Sequence, residues 1–335
     1  MPSSRAYKPL NPTAKILAVA PMMEWTDRRC RMFHRLLSRD AWLYTEMVHA
    51  NAVVLGDRER LLGFDGEEHP LALQLGGSEP GVLAQAARIA EQHGYDEVNL
   101  NVGCPSDRVQ SGRFGACLMR EPALVAECVA AMRGAVSIPV TVKCRLGVDE
   151  QDPREALFAL VDACVEAGCR HFVVHARKAW LQGLSPKENR EVPPLDYALV
   201  RELKRQRPGL TIVLNGGLAD ASTIEAELPH VDGVMLGRAA YHTPYFLHEM
   251  QCRMFGGTIG SRSELLRGYR DYFAMRQAAG DSAAMMFRHL LGLFHAQPGG
   301  RAFRRLLSTE GHRPGADWQL LERALDLVEP ELAAA

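Results

Sequence analysis

Cys104 is the residue of this sequence whose type and position most clearly indicate chemistry. It lies between Gly103 and Pro105, directly after the apolar run Glu97–Gly103, and a glycine-containing loop follows it. A cysteine on such a loop is accessible and reactive, whereas a cysteine inside an apolar run is packed in a core. Cys104 is therefore predicted to take part in a reaction.

Four further polar residues lie at or near the ends of apolar runs: Gln74, Asn101, Lys143 and His175. The two amides and the imidazole supply the donors and acceptors that hold a flat heterocycle. Lys143 has three interpretations: a Schiff-base nucleophile as in barrel aldolases, a cation facing the negative edge of a reduced flavin, or a structural ion pair. Because side chains alternate along a strand, Cys144 is predicted to face the other way.

The last two apolar runs end in Asn215-Gly216-Gly217 and Gly237-Arg238. Glycines at these places allow backbone N–H groups to approach a phosphate closely, and an arginine adds charge-assisted hydrogen bonds. Tight turns that need glycine for their geometry are the alternative explanation. Because both turns fall where α/β barrels bind phosphate, the sequence favours a phosphate site.

Short β-branched runs that alternate with helix-like stretches must position these residues. Amphipathic segments such as Gly81–His93 and Pro122–Val136 lie between most of the runs. Eight strand–helix units in about 225 residues predict an α/β fold, the closed (β/α)8 TIM barrel, with its site at the C-terminal ends of the strands. A doubly wound sheet is the alternative, but no G-x-G-x-x-G follows the first run. The eight runs are Ile16–Met23, Trp42–Val48, Leu71–Gly77, Glu97–Gly103, Val140–Leu146, His171–Arg177, Thr211–Gly217 and Gly233–Arg238.

After Tyr241 the strand pattern ends and helical patterns follow. We predict a barrel domain over residues 1–250 and a small C-terminal helical domain over residues 251–335. The segment from Arg262 to Arg305 holds eight arginines, no lysine and three acidic residues, a net charge of +5 in a chain of formal charge −1. Such a segment is either a solvated helical surface or a binding site for a polyanion. The predicted helices are Ser263–Ala279, Ala283–Phe294, Gly300–Leu307 and Asp317–Val328.

The composition is that of a globular protein, with 47% hydrophobic and 24% charged residues. No run approaches the roughly 18 apolar residues that a membrane helix needs. The eight cysteines form no C-x-x-C pair and no ligand-spaced cluster with histidine, which argues against a zinc site and a disulfide framework. We therefore expect no bound metal, no membrane association and a location in the reducing cytoplasm.

Residues 97–105, with the sequence EVNLNVGCP, resemble the signature of the tRNA-dihydrouridine synthases. The similarity continues through residues 110–118, QSGRFGACL, and covers the chain from about residue 14 to about residue 330. Residues 175–190 resemble the A subfamily of bacterial enzymes most closely. Further matching stretches follow in the order of the family: Ala20-Pro21-Met22, Gln74, Val142-Lys143, His175-Ala176-Arg177, Asn215-Gly216-Gly217 and Gly237-Arg238.

The resemblance implies that flavin mononucleotide (FMN) lies at the mouth of the barrel and that NADPH reduces it. The substrate it implies is a uridine in the D-loop of tRNA, at positions 20 and 20a. Hydride from the reduced flavin would reach C6 of uracil, and Cys104 would give a proton to C5, since a thiol is largely protonated at neutral pH. The implied flavin contacts are Pro21, Met22, Met23, Gln74, Lys143 and His175, and the implied phosphate contacts are Asn215, Gly216, Gly217, Gly237 and Arg238.

The resemblance also assigns residues to the RNA. Asn101 is expected to hold the uracil edge or the ribose, and Lys187, Arg190, Arg301 and Arg304 are expected to orient the tRNA. Arg288 and other arginines of the helical segment are expected to add sequence-independent affinity. The enzyme is expected to act as a monomer.

Three other kinds of protein share parts of this pattern. A flavin barrel of the dihydroorotate or dihydropyrimidine type acts on a free base and does not need the arginine-rich helices. An aldolase-type barrel uses Lys143 covalently and is colourless. A non-catalytic RNA-binding protein needs neither Cys104 nor the phosphate glycines.

Overall fold

A closed barrel of eight parallel strands forms the body of the protein in a computed structural model that describes residues 15–106, 109 and 111–328. The strands follow one another around the barrel in chain order, and β8 pairs with β1. The predicted (β/α)8 fold is confirmed, and the doubly wound sheet is wrong. The strands are β1 Ile16–Val19, β2 Trp42–His49, β3 Leu71–Gly76, β4 Glu97–Val102, β5 Val140–Cys144, β6 His171–His175, β7 Thr211–Asn215 and β8 Gly233–Leu236.

Each strand begins at the predicted residue, but most end earlier than predicted. β1 ends at Val19 rather than Met23, because Pro21 has no N–H to continue the ladder. β7 ends at Asn215, where Gly216 adopts a φ of +107°. The residues just beyond the strand ends are therefore free to line a site instead of extending the sheet.

Two separate apolar cores lie on the two sides of the barrel wall. The inner core is small and consists of Ala18, Ala20, Tyr44, Ala72, Val173, Val213 and Met235. The outer core is larger and lies between the strands and the helices. Cys144 is fully buried in the outer core while Lys143 faces the site, as the alternation along β5 predicts.

Helices surround the barrel, and the predicted amphipathic segments Gly81–His93 and Pro122–Val136 agree with helices of the structure within one residue at each end. The helix after β3 begins at Pro80, a residue favoured in the first turn because its missing N–H would have no partner there. The helices up to β8 are Arg28–Leu37, Ala50–Leu55, Arg58–Leu62, Pro80–His93, Pro122–Ala135, Pro153–Glu166, Tyr197–Gln206 and Ala221–Glu227.

After β8 the described chain is helical. The predicted helix Ser263–Ala279 is wrong as one element, because the chain turns between its two halves and buries Tyr269, whose hydroxyl donates to the carbonyl of Arg29 at 2.9 Å. None of the helices in the described part of the chain combines the length and apolar character that a membrane crossing requires. The helices are Arg238–His242, Tyr245–Phe255, Arg262–Arg267, Arg270–Ala278, Ala283–Leu290, Gly300–Glu310 and Trp318–Leu325.

The helical segment packs directly on the barrel near the end of β1. Asp27 caps the helix Arg28–Leu37, accepts a hydrogen bond from Arg288 at 2.7 Å, and lies 3.1 Å from Nε2 of His289. The neighbouring Arg29 binds Asp281. The helix Tyr245–Phe255 runs across residue 250, and the division into two domains stays a prediction. Residues 1–14 and 329–335 of the predicted domains, and Gln110 of the quoted motif, lie outside the described residues.

Candidate active site

A cavity of about 770 Å³, here called the mouth cavity, opens where the strands of the barrel end. Cavities of about 300–1,000 Å³ are the size that small ligands and cofactors occupy. Cys104, Asn101 and Arg190 line it together with every residue predicted to contact the cofactor. Those residues are Pro21, Met22, Met23, Gln74, Lys143, His175, Asn215, Gly216, Gly217, Gly237 and Arg238.

Cys104 is held by its backbone at the edge of the mouth cavity. Its N–H and that of Gly103 both donate to Oδ1 of Asn101, each at 3.0 Å. Its side chain is half-buried, with Sγ 3.5 Å from Oγ of Ser106. The thiol is thus accessible from the cavity while the chain that carries it is fixed.

Gly115 allows the chain to pass close to this loop. Its φ of +74° lies in the left-handed region that favours glycine. A Cβ at this position would lie 2.6 Å from the carbonyl oxygen of Cys104 and would overlap Val109. The next residue, Ala116, donates its N–H to the same carbonyl at 2.9 Å. Both backbone groups of Cys104 are therefore bonded.

Lys143 reaches from β5 into the mouth cavity. Its Nζ donates to Oδ1 of Asn215 at 3.1 Å, and Nδ2 of Asn215 donates to the carbonyl of Met235 at 2.7 Å. Burial, together with the nearby charge of Arg145, lowers the pKa of Lys143 to about 8. The ammonium remains the main form at neutral pH, and it faces a site that has room for a ligand.

His175 places an unsatisfied nitrogen at the cavity. Its Nε2 is buried and has no hydrogen-bond partner among the described residues. Burial, reinforced by the charges of Arg145 and Lys143, holds the pKa of His175 well below its usual range, so the imidazole is neutral. A buried polar atom without a partner is rare in folded proteins, and here it fits a ligand that supplies the missing hydrogen bond.

The glycines at the ends of β7 and β8 differ in the reason for which the structure favours glycine. Gly216 and Gly217 have positive φ, and a Cβ on either would press against His175 or Leu195, so turn geometry alone requires glycine. Gly237 has negative φ, and a Cβ there would meet no atom within 4 Å. No packing within the described chain explains Gly237, and an approaching ligand would make use of its missing side chain.

The mouth cavity is strongly positive. The described residues of its lining include four cations and one carboxylate: Lys143, Arg145, Arg190 and Arg238 against Glu24. Arg238 forms an ion pair with Glu191 at the rim. Lys143 and Arg145 are half-buried and buried, and neither has an acidic partner among the described residues, so they favour an anionic ligand, because unpaired charge is costly away from water.

Arg145 is a cavity residue to which the sequence analysis assigns no role. It is 3% exposed and has no acidic partner among the described residues. Its guanidinium donates to the carbonyls of Gly103, Lys178 and Asn189, at 3.2, 3.2 and 2.8 Å. It therefore ties the Cys104 loop to the loop after β6, and its place two residues after Lys143, on the same face, is the signal that would have identified it.

Trp25 is a second cavity residue that the sequence analysis does not identify. Its ring stacks on that of Tyr241 with centroids 4.4 Å apart and planes 6° apart. Tyr241 in turn packs edge-on against His289 at 5.8 Å. The aromatic stack thus joins the rim of the cavity to the C-terminal helices.

Of the residues predicted to contact RNA, Asn101 and Arg190 line the cavity, and the other three do not. Arg190 lines the cavity, and Lys187 is exposed on the same loop. Arg301 and Arg304 are exposed three residues apart on the helix Gly300–Glu310, whose Phe303 is buried, so the predicted common face exists. Neither arginine has an acidic partner in the part of the chain that the structure describes.

Half of the eight arginines in the positive segment already have partners within the chain. Arg288 binds Asp27, Arg276 binds Asp281 at 2.7 Å, Arg267 lies 3.8 Å from Glu322, and Arg262 covers the ring of Tyr245. The segment is therefore less available to a polyanion than its +5 charge indicates. Neither an acidic nor a ring partner among the described residues is seen for the other four, which are Arg270, Arg301, Arg304 and Arg305.

All eight cysteines are free thiols, and five of them are buried. Among the described residues, no group of three or more His, Cys, Asp or Glu side chains is arranged to hold a metal ion. Cys104 lines the mouth cavity, and none of the other cysteines does so.

The chain is similar to dihydrouridine synthases over nearly its whole length. The model of the family described as Dihydrouridine synthase (Dus) matches residues 18–329. A protein of Xanthomonas campestris named tRNA-dihydrouridine(20/20a) synthase is 62% identical over 308 residues, which cover 92% of each chain. Proteins with the same name from Xylella fastidiosa and Vibrio cholerae are 60% and 53% identical, over 93% and 92% of this chain and 95% of their own lengths.

Proposed function

Because this chain belongs to the dihydrouridine synthase family, we propose that it reduces uridine in tRNA to dihydrouridine. The proposed targets are positions 20 and 20a, which appear in the names of the similar proteins from Xanthomonas, Xylella and Vibrio. One observation carries the proposal for the site: Cys104 lines the same positive cavity as the polar and glycine residues that are predicted to hold the cofactor.

FMN is the cofactor that we propose for the mouth cavity. Gln74, Lys143 and His175 would hold the ring system, with Pro21, Met22 and Met23 packing against it. The orphaned Nε2 of His175 and the excess of cations support this assignment, since both need a partner that a flavin and its phosphate provide. The phosphate would lie against Asn215, Gly216, Gly217, Gly237 and Arg238, where Gly237 leaves open space.

The reaction saturates the C5–C6 double bond of uracil, so C6 gains a hydride and C5 gains a proton. When bound in its reduced form, FMN supplies the hydride, for which NADPH is the proposed source. Cys104 holds the proton on Sγ and delivers it to C5 as a general acid. The fixed backbone of Cys104 restricts where the thiol can lie, and this favours transfer to one ring carbon.

The target base must leave the RNA stack to reach this cavity. Asn101, Arg190 and Lys187 are proposed to receive the nucleotide at the rim, with Arg301 and Arg304 gripping phosphates further along the RNA. Since one uridine among several loop bases must enter, these contacts would decide which one is presented. We propose that the protein works as a monomer in the cytoplasm, where folded tRNA and NADPH are available.

The decisive experiment combines a spectrum with an assay. The purified protein should be yellow, lose that colour on reaction with NADPH without oxygen, and then form dihydrouridine in unmodified tRNA but not in free uridine. A colourless protein that forms a borohydride-trapped adduct on Lys143 with a carbonyl substrate would replace this proposal by the aldolase interpretation. Reduction of the free base as fast as of tRNA would favour a free-pyrimidine reductase.

A further inference from the structure

Below the mouth cavity, a continuous chain of hydrogen bonds runs through the interior of the barrel. Thr141 Oγ1 donates to Oε1 of Glu97 at 2.6 Å and accepts from Nδ2 of Asn99 at 2.8 Å. Oδ1 of Asn99 accepts from Nε2 of Gln74 at 2.8 Å. Oε1 of Gln74 accepts from Nδ2 of Asn101 at 2.8 Å. The chain therefore extends from a carboxylate near the start of β4 to the residue that holds the Cys104 loop.

Both ends of this chain dictate its direction. The backbone N–H groups of Gly103 and Cys104 can only donate, so the atom of Asn101 that receives them must be its oxygen. At the other end, a carboxylate such as that of Glu97 can only accept. Every amide between these ends has a single orientation that satisfies all bonds, because one reversed amide would bring two donors or two acceptors together.

The strand register makes the chain possible. Asn99 on β4 pairs with Gln74 on β3 and with Thr141 on β5, so the three side chains share one level inside the barrel. Asn99 and Thr141 are fully buried, and Glu97 is 2% exposed. Asn99, Thr141 and Glu97 are not among the residues that line the mouth cavity, whereas Gln74 and Asn101 are. Hence Asn99, Thr141 and Glu97 can act on a ligand only through Gln74 and Asn101, to which the hydrogen bonds connect them.

The chain also determines what the upper amides offer to the cavity. Oδ1 of Asn101 already accepts two hydrogen bonds, so its acceptor capacity is used. One N–H of its amide is used by Gln74, and one remains. With the amide fixed in this way, Asn101 presents a donor and no acceptor. A partner for it must carry an acceptor, such as a carbonyl oxygen of a heterocycle.

We propose that Asn99 and Thr141 are positioning residues, which lock the amides of Gln74 and Asn101 in one orientation and thereby hold the Cys104 loop in place. This inference rests on the proposed function for the identity of the ligand, FMN. The locking itself concerns the protein alone and therefore exists without any ligand. Loss of the Thr141 hydroxyl would leave Nδ2 of Asn99 buried without a partner and would free both amides above it to turn.

The test compares Thr141→Val with Thr141→Ser. Valine matches threonine in shape but interrupts the chain, whereas serine keeps the hydroxyl. The first readout is the rate at which iodoacetamide alkylates Cys104 in flavin-free protein, measured by peptide mass spectrometry, with Cys252 as internal reference. We expect a several-fold faster reaction of Cys104 in Thr141→Val, an unchanged rate at Cys252, and near wild-type behaviour in Thr141→Ser.

The second readout is the affinity of the flavin-free protein for FMN, measured by fluorescence quenching. We expect the Kd to rise by about tenfold in Thr141→Val, which corresponds to about 1.4 kcal/mol, and to stay near wild type in Thr141→Ser. Asn99→Leu interrupts the hydrogen-bond chain one residue nearer the cavity and should also raise both the alkylation rate of Cys104 and the Kd of FMN. It also serves in place of Thr141→Val if that variant yields no folded protein.

Tyr44→Phe is the matched control. The Tyr44 hydroxyl donates to the same oxygen of Glu97 at 2.8 Å, but it lies outside the path to Asn101. Its loss should lower the melting temperature without changing the alkylation of Cys104 or the Kd of FMN. If Tyr44→Phe and Thr141→Val have equal effects on Cys104, or if Cys104 and Cys252 become faster together, the residues are only structural and the proposal is wrong. Wild-type alkylation and affinity in Thr141→Val would also overturn it.

The two readouts separate this proposal from the proposed function. Wild-type protein that binds no FMN would contradict the proposed cofactor, while the alkylation comparison would still decide whether the chain holds the Cys104 loop. Conversely, normal FMN binding with unchanged alkylation in every variant would reject the positioning role and leave the cofactor assignment intact.

Discussion

Nζ of Lys143 donates a hydrogen bond to Oδ1 of Asn215 at 3.1 Å and so connects β5 to β7 past the strand between them. Asn215 is itself anchored to the carbonyl of Met235 on β8. The ammonium is therefore oriented by a neutral amide rather than neutralised by a carboxylate. A cation held in this way is not neutralised within the protein and can attract an anionic ligand. Its pKa is lowered, because no carboxylate offsets its burial.

We expect FMN binding to weaken as the pH rises through the pKa of Lys143, which burial lowers to about 8. Below that pH the side chain is an ammonium that attracts an anionic ligand, and above it the attraction is lost. The Kd of FMN for flavin-free protein should rise several-fold between about pH 7 and about pH 9, and Lys143→Met should flatten this dependence. Fluorescence quenching of FMN measures both curves. A wild-type curve as flat as that of the variant would show that the charge of Lys143 does not act on the ligand.

Cys104→Ala should reduce the rate of dihydrouridine formation by roughly 10²–10⁴, the usual effect of losing a general acid. Bound FMN and its reduction by NADPH should not change, since the thiol acts only on C5 of the substrate. Single-turnover reduction of tRNA and anaerobic flavin reduction separate the two steps. Cys252→Ala, which removes another half-buried thiol outside the cavity, is the control and should behave as wild type. Equal tRNA reduction in Cys104→Ala and wild type would exclude Cys104 as the acid.

Gly115→Ala should displace the Cys104 loop, because its Cβ would lie 2.6 Å from the Cys104 carbonyl oxygen. We expect turnover to fall by up to about 10²-fold, the cost of misplacing a catalytic group by a fraction of an ångström to an ångström. Gly315→Ala is the matched control, since Gly315 has a φ of +82° but no atom within 4 Å of the added Cβ. Both variants should lose stability by about 1–3 kcal/mol from the left-handed backbone, and only Gly115→Ala should lose turnover. Urea unfolding and the tRNA assay measure the two effects; similar turnover in both variants would argue against the close approach.

Charge reversal at Arg301 and Arg304 should weaken tRNA binding and reduction while leaving NADPH oxidation with an artificial acceptor unchanged. If each arginine contacts one phosphate, the slope of log K against log salt should become less steep by about 0.7–0.9 for each. The matched control reverses Arg133 and Arg205, which are exposed near the C-terminal ends of their helices, away from the cavity. Filter binding at several salt concentrations gives the slopes. If the two double variants lose affinity equally, Arg301 and Arg304 only contribute general charge.

The positions of Gln74, Lys143 and His175 could be predicted because they depend on local patterns. Apolar runs identify strands, and the barrel fold places the residues at their ends around one opening. The partners of charged residues could not be predicted in this way. Arg29 and Asp281 are 252 positions apart in the chain, and only the packing of the helical segment on the barrel brings them together. Contacts of this kind are the reason that half of the eight arginines in the positive segment already have partners within the chain.

The orientation of the side-chain amides inside the barrel could not be predicted from sequence patterns either. The sequence shows Asn99 and Thr141 as isolated polar residues within apolar runs. Whether their side chains meet depends on the register of three strands, which is settled when the barrel closes. Asn101 was recognised as a site residue from its place at the strand end, but its bonds to the Cys104 loop became evident only from the structure.

The contact of Asp27 with Arg288 and His289 has a consequence for how this molecule can be divided. Asp27 follows the cavity-lining residues of the β1 loop, so the C-terminal helices act as a brace for that wall. A chain shortened to the barrel would keep the ion pair between Asp27 and Arg29 but would lose the partners that the C-terminal helices supply, which are Arg288, His289 and Asp281. The wall of the cavity therefore depends on residues more than 250 positions away in the chain, and a helical segment taken from a relative would have to match the loop that it supports.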